Sequence, residues 1–241
     1  MQSLDIRICA WAGPCACVLF VAALLIFMRF IPPMPPTLGA AEVAGIYHVN
    51  SVGIRLGAIS MVFASTLLLP WTAAISAVLE KADSPLPALS KTQMISGVLA
   101  FSPLMFCSFF FAAAAFRSER GSDLVYLLND VGWIFLVMTP GMIQPLAIGI
   151  AILLDKSADP LLPRWLGYLN LWLATLFACG VFNPLFKTGP FAWNGLMAFW
   201  IPACIFSLWI TCMMVGLTGA ARKLETRDKL AGSAEISAPI C

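Results

Sequence analysis

The sequence predicts an all-α membrane protein: a six-transmembrane-helix bundle with a short interfacial helix in the first outer loop. Of its 241 residues, 61% are hydrophobic and 11% are charged, whereas a soluble domain carries about a quarter charged residues. A core of ordinary size cannot bury that much apolar surface, so a bilayer has to cover it. The predicted membrane domain spans residues 1–219, and residues 220–241 hold few large apolar side chains and are predicted to form a flexible cytoplasmic tail.

Six apolar runs are long enough to cross a hydrocarbon core, which takes about 20 helical residues. The first run is too long for a signal peptide, and Arg29-Phe30-Ile31-Pro32-Pro33 follows it in place of a small-residue cleavage site, so it is predicted to remain as an anchor. The six runs cover residues 9–31, 54–79, 94–116, 130–154, 164–183 and 191–217.

The distribution of Lys and Arg predicts the orientation, because cytoplasmic loops carry an excess of basic residues. Of the 14 basic residues, nine fall on one side of the six runs and five on the other. Both termini lie on the side with nine, so the chain is predicted to be a multi-pass inner-membrane protein with both termini in the cytoplasm. The nine are Arg7, Lys81, Lys91, Lys156, Arg164, Arg222, Lys223, Arg227 and Lys229.

The first outer loop holds the predicted interfacial helix. A proline-rich stretch at 32–36 favours an extended chain, and residues 39–48 follow with a helical pattern. Glu42 lies near the helix start, where a carboxylate suits the helix dipole. Val43, Ile46 and Tyr47 form one apolar face, so the helix is expected to lie on the membrane surface.

Composition excludes several chemistries. His48 is the only histidine, whereas haem, di-iron and histidine-rich zinc sites need several imidazoles. The net charge of +2 and the lack of a basic run argue against nucleic acid as a partner. The eight cysteines fall mostly inside apolar runs and are interpreted as small buried side chains. No metal and no cofactor is predicted.

The fourth run carries the strongest indication of a functional site. Its middle reads Thr139-Pro140-Gly141-Met142-Ile143-Gln144-Pro145, and a proline gives no N–H to the carbonyl four residues before it. The carbonyls of Leu136 and Gly141 therefore lose their helical partners near the expected midplane. Open backbone at that depth requires cover from protein or a watery cavity.

Helical spacing places five residues on one face of the fourth run: Asp130, Trp133, Val137, Gly141 and Gln144. Thr139, which lies in the break itself, is a further candidate ligand contact. This stripe predicts a ligand-binding cavity that opens to the outside and has Gln144 at its floor. The alternative is a proline-kinked helix whose freed carbonyls are satisfied by Thr139 and by neighbouring helices.

Further polar residues fall on the predicted outer side. Arg55, Asn183 and Asn194 are candidate ligand contacts, and Glu42 and His48 are candidates for acid–base work together with Asp130. The alternative for this group is a polar rim that contacts lipid headgroups.

Three functions remain open at this point. The leading hypothesis is a protein that binds or moves a small apolar or amphipathic molecule through the broken fourth run. The others are an accessory or assembly subunit of a membrane complex, and a membrane enzyme that acts on a lipid or isoprenoid. The sequence favours a binding protein over an enzyme, and the expected partners are the lipid bilayer, a small apolar ligand and other membrane subunits.

Overall fold

The computed structural model describes residues 2–119 and 121–236, with side chains described for 3–119 and 121–230, and all regular structure within these ranges is helical. The first half holds α1 (Gln2–Ala22, continued by a π-helical turn Ala23–Phe27), α2 (Ala40–Val49), α3 (Ser51–Leu79) and α4 (Ala88–Phe116). The second half holds α5 (Ser122–Val137), α6 (Ile143–Leu153), α7 (Arg164–Phe177, continued by a 3-10 segment Ala178–Leu185) and α8 (Ile201–Ile236, preceded by a π-helical turn Leu196–Trp200).

Within the part of the chain that the structure describes, five helical segments are long and apolar enough to cross a membrane, which supports an α-helical, multi-pass membrane bundle. The predicted fourth run is not one helix. It is divided between α5, of 16 residues, and α6, of 11 residues. The five are Ser3–Phe27, Ser51–Leu79, Ala88–Phe116, Arg164–Leu185 and Leu196–Leu230.

The helix predicted in the first outer loop is present as α2. The Oε2 atom of Glu42 accepts a 2.8 Å hydrogen bond from the N–H of Gly39, which satisfies a donor at the helix start. Val43 and Tyr47, the apolar face, are buried in the bundle. This face therefore packs on protein, and a position of α2 on the membrane surface stays a prediction.

One end of the bundle, here called the inner end, holds both the start of α1 and the last turns of α8. Arg7 of α1 pairs with Glu225 of α8 at 2.8 Å. The loop between α6 and α7 joins the same end, because Asp159 pairs with Lys223 and Arg227. The opposite end, which holds α2, is called the outer end.

The region predicted as a flexible tail is largely helical. Helix α8 continues to Ile236, and Ala220, Ala221 and Leu224 are buried. Ala, Leu, Lys, Arg and Glu are strong helix formers, and the packing and ion pairs of the inner end hold this extension. Residues 237–241 of the predicted tail lie outside the described residues.

The buried side chains form two clusters, one above the other. The inner cluster includes Trp71 and Trp209, whose rings meet edge to face at 6.1 Å. The outer cluster is built around Phe30, Phe111 and Trp133, with ring centroids 5.4–5.8 Å apart. The break between α5 and α6 lies where these two clusters meet.

Candidate functional site

The chain leaves the helical path between Val137 and Ile143. The N–H of Met138 still bonds to Ile134 at 2.8 Å, but that of Thr139 turns back to Val137 at 2.9 Å. Pro140 and Pro145 donate nothing, and the carbonyls of Leu136 and Gly141 accept no hydrogen bond from any described residue. The sequence thus predicted the position of this break from the two prolines and the glycine.

A cavity of about 120 Å³ adjoins the break. Three residues singled out in the sequence line it: Thr139, Gly141 and Gln144. The rest of the wall is apolar and comes from six different segments of the chain. Its aromatic members are Phe20, Phe101, Phe177, Phe199, Phe206 and Trp209, and its small members include Ala100, Gly180, Ala198 and Ala203.

The side-chain amide of Gln144 is a polar group of the wall, and a residue outside the cavity fixes its position. It is 2% exposed, and its Nε2 donates to Oε1 of Gln93 on α4 at 3.3 Å. Gln93 is itself fully buried and donates from Nε2 to the carbonyl of Thr72 on α3 at 3.2 Å. This chain of hydrogen bonds orients the amide, and among the described residues no donor reaches Oε1 of Gln144.

Thr139 adds a hydroxyl to the same wall. Among the residues that the structure describes, none hydrogen-bonds its Oγ1, so it does not satisfy the freed carbonyls of the break. The cavity therefore has an apolar surface with a few free hydrogen-bonding groups concentrated on one side. An arrangement of that kind is typical of a site for a small, mostly apolar ligand.

The predicted stripe from Asp130 to Gln144 is divided by the break. Gly141 and Gln144 line the cavity, but Asp130 and Trp133 do not. Trp133 is fully buried in the outer cluster and packs at 6.0 Å against Phe199, which does line the cavity. The prediction assumed one continuous helix through the fourth run, whereas α5 ends at Val137.

Aromatic side chains fill the space between the outer end and the cavity. Phe30, Tyr47, Phe111 and Trp133 are all fully buried, so in this structure protein occupies the predicted approach from outside. The wall instead meets the surface at the side of the bundle, where Ala203 is exposed.

The remaining candidate ligand contacts lie away from the cavity. Arg55 donates from Nε to the carbonyl of Ser51 in its own helix, at 3.2 Å. Asn194 is half-buried and is not part of the wall. Asn183 is 1% exposed, and both atoms of its amide lack a partner among the described residues. It follows Gly180 of the wall by three residues without lining the cavity itself.

Each of the three acid–base candidates has a hydrogen-bond partner of its own. Glu42 caps α2, and Nδ1 of His48 lies 3.4 Å from Oγ of Ser118. Asp130 accepts a 3.3 Å hydrogen bond from the amide of Asn129. Within the described residues, no hydrogen bond or ion pair joins any two of the three.

Tyr47 joins α2 to α5 beside Asp130. Its hydroxyl donates to Oδ1 of Asn129 at 3.1 Å. Burial, followed by the nearby charge of Asp130 and then Cys107, raises the pKa of the Tyr47 phenol well above its ordinary value, so the phenol stays neutral. Nor do the described residues bring three His, Cys, Asp or Glu side chains close enough together to hold a metal ion.

Comparisons of the chain with family models, with curated proteins and with solved structures find no match. The geometry of the cavity is thus the basis for a functional proposal.

The sequence did not indicate most of the cavity wall. It also did not indicate Gln93 and Thr72, which hold the Gln144 amide from outside the cavity. Phe177, Gly180 and Phe199 belong to apolar runs and carry no polarity signal that separates a cavity wall from lipid-facing bulk. Gln93 fell just outside the predicted third run, whereas α4 begins five residues earlier, at Ala88. The one available signal in the sequence was the polar side chain of Gln93 at the edge of a long apolar run, since α4 continues through it.

Proposed function

We propose that the protein binds a small, mostly apolar molecule that carries a hydrogen-bond donor, in the cavity beside the break between α5 and α6. The observation that carries the proposal is the buried amide of Gln144, whose Nε2 is held by Gln93 while its Oε1 is left free at the wall.

The size of the cavity supports a ligand of one or two rings. Its volume of about 120 Å³ is close to that of an engineered apolar cavity of about 150 Å³ that takes up benzene. Aromatic side chains supply much of the wall, and they pack well against a flat apolar ligand.

The polar groups of the wall favour a donor on the ligand. Oε1 of Gln144 and the carbonyls of Leu136 and Gly141 can each accept a hydrogen bond, and Thr139 can accept or donate. A purely apolar ligand would leave these acceptors unpaired, which costs free energy in a buried site.

The membrane arrangement belongs to the same proposal. Helix α5 begins near the outer end, and the chain after α6 reaches the inner end, where Oδ1 of Asp155 accepts a 3.1 Å hydrogen bond from the N–H of Asp83. The two half-helices together make a sixth crossing with the ligand site at their junction, a recurrent arrangement in transporters. The excess of basic residues assigns the inner end to the cytoplasm.

Binding can be measured by fluorine NMR on the protein in lipid nanodiscs, with para-fluorophenol and fluorobenzene as matched probes. The wild type should bind the phenol more tightly, because only the phenol can donate to Oε1. Gln144→Leu should weaken phenol binding by about three- to tenfold, the value of one hydrogen bond, and leave fluorobenzene nearly unchanged. Gly141→Leu should weaken both probes, because the new side chain enters the cavity beside Phe177.

Gln93→Leu is the matched control. It removes the same 3.3 Å hydrogen bond as Gln144→Leu but leaves Oε1 of Gln144 at the cavity wall, so phenol binding should fall by less than in Gln144→Leu. Unchanged binding in both Gln144→Leu and Gly141→Leu would refute the proposal, as would a wild type that binds neither probe.

A further inference from the structure

A second cavity lies at the inner end, between α1 and α8, and has a different character from the first. Its volume is about 270 Å³, and it is lined by Arg7, Trp11, Met214, Thr218 and Arg222. It shares no wall residue with the cavity at the break.

The spacing of these residues makes the cavity a groove with one charged end. Arg7 and Trp11 are one helical turn apart on α1, and Met214, Thr218 and Arg222 follow each other turn by turn on α8. At 1.5 Å per residue, the groove extends about 12 Å from Arg222 to Met214. Both guanidinium groups lie at the end nearer the termini, and the thioether lies deepest in the bundle.

The two arginines differ in what they already bind. Arg7 pairs with Glu225, and the next basic residues of α8, Lys223 and Arg227, pair with Asp159. Arg222 is exposed, and its guanidinium has no hydrogen-bond or ion-pair partner among the described side chains. It therefore keeps all five donors for a ligand.

Trp11 places this groove at the boundary between water and hydrocarbon. Its side chain is 59% exposed, and tryptophan is enriched where one part of the ring meets acyl chains and the other meets headgroups. Ile8 and Val215, also exposed, continue an apolar surface beside the groove.

We propose that this groove binds the headgroup of an anionic phospholipid, with the phosphate between Arg222 and Arg7 and an acyl chain along Trp11 and Met214. Guanidinium groups recognise phosphate through paired hydrogen bonds, and basic pockets between membrane helices are suited to anionic headgroups. A phospholipid changes from charged to apolar along its length in the same way as this groove. A free phosphate ion would contact only the charged end.

Native mass spectrometry of the purified protein, released from micelles that contain phosphatidylglycerol and phosphatidylcholine in equal amounts, tests this site. The wild type should retain phosphatidylglycerol in preference to phosphatidylcholine. Arg222→Gln should lower that preference about fivefold, the effect of one arginine at an anionic surface, and Arg222→Lys should keep most of it. Arg164→Gln is the matched control, because it removes an exposed arginine at the start of α7 that lies outside the groove.

Three results would overturn the proposal. One is equal lipid retention in the wild type and Arg222→Gln. Another is an equal loss in Arg222→Gln and Arg164→Gln, which would indicate general charge attraction. The third is displacement of the lipid by millimolar glycerol phosphate, which would assign the groove to a soluble phosphate compound.

Discussion

Gln144 and Gly97 are in such close contact that a Cβ atom on Gly97 would lie 2.5 Å from Nε2 of Gln144. The glycine on α4 therefore leaves room for the amide on α6, and the amide gains access to Gln93 one turn earlier on α4. Two helices that the sequence separates by about 50 residues thus define the polar floor of the cavity together.

Substitution of Gly97 tests this contact. Gly97→Ala should destabilise the protein by about 1–3 kcal/mol, the usual cost of overpacking a tight core, because the added methyl group meets both Gln144 and Thr72 at 2.5 Å. Thermal unfolding in detergent measures the change. Gly219→Ala is the control, since nothing lies within 4 Å of its added Cβ and alanine is the better helix former. A midpoint for Gly97→Ala at or above that of Gly219→Ala would contradict the contact.

The hydrogen bond between Gln93 and Gln144 should appear as a coupling energy. In a double-mutant cycle, Gln144→Leu leaves Oε1 of Gln93 without its donor, and Gln93→Leu leaves Nε2 of Gln144 without its acceptor. The double variant removes both groups. We expect a coupling of about 0.5–1.5 kcal/mol in unfolding free energy. Additive effects of the two substitutions would mean that the amides do not bond in the membrane.

Asn170 joins α7 to α8 beneath the cavity. Its Oδ1 accepts from Nε1 of Trp209 at 2.8 Å, and its Nδ2 donates to the carbonyl of Leu166 at 2.8 Å. Asn170→Leu should lower the stability by about 1–3 kcal/mol, because the buried indole N–H loses its acceptor. Urea or SDS titration followed by circular dichroism measures this. Asn170→Leu in a Trp209→Phe background, where no N–H is left unpaired, should cost clearly less.

The ion pairs of Asp159 with Lys223 and Arg227 should make the stability of the inner end depend on pH. Hydrogen bonds from Lys223 and then from Arg227 lower the pKa of this exposed carboxyl group below its ordinary value. The stabilisation is thus complete above the ordinary aspartate pKa of about 3.9 and is lost as the pH falls through the lowered pKa of the folded state. The wild type should unfold at a higher temperature than Asp159→Asn at neutral pH.

The difference between the wild type and Asp159→Asn should be small, because the ion pairs are exposed. It should disappear in acid and shrink in high salt. A difference that persists unchanged below pH 3 would show that the substitution acts through something other than the charge.

The proposed orientation can be checked in cells with an impermeant maleimide. A variant that keeps Cys241 as its only cysteine should react only after the cells are opened, because the C-terminus is proposed to be cytoplasmic. In a cysteine-free chain, Glu119→Cys should react in intact cells. Glu119 is exposed beside Ser118, whose hydroxyl lies 3.4 Å from His48 at the outer end. The reverse pattern would invert the assignment.

Local chemistry explains what the sequence predicted correctly. A membrane bundle follows from composition, and the break follows from Pro140 and Pro145, whose missing N–H groups act within one helical turn. The helix α2 follows from the helical pattern of residues 39–48. The sequence did not predict the helical extension of α8 beyond residue 219, because it did not indicate that Arg7 and Asp159 would lie beside this segment. The flexibility of the tail stays a prediction.

The sequence by itself therefore determined that the chain is a helical membrane protein and that its fourth apolar run opens near Gly141. Only the tertiary structure decided that Gln144 turns toward Gln93, that aromatic side chains close the outer approach, and that the cavity meets the surface beside Ala203. The physical reason is that helical periodicity places residues on one face of a helix, whereas the rotation and depth of that helix against its neighbours depend on packing between residues far apart in the chain. Trp133 illustrates this, because helical spacing places it on one face with Gln144, whereas in the structure it lies in the buried outer cluster and does not line the cavity.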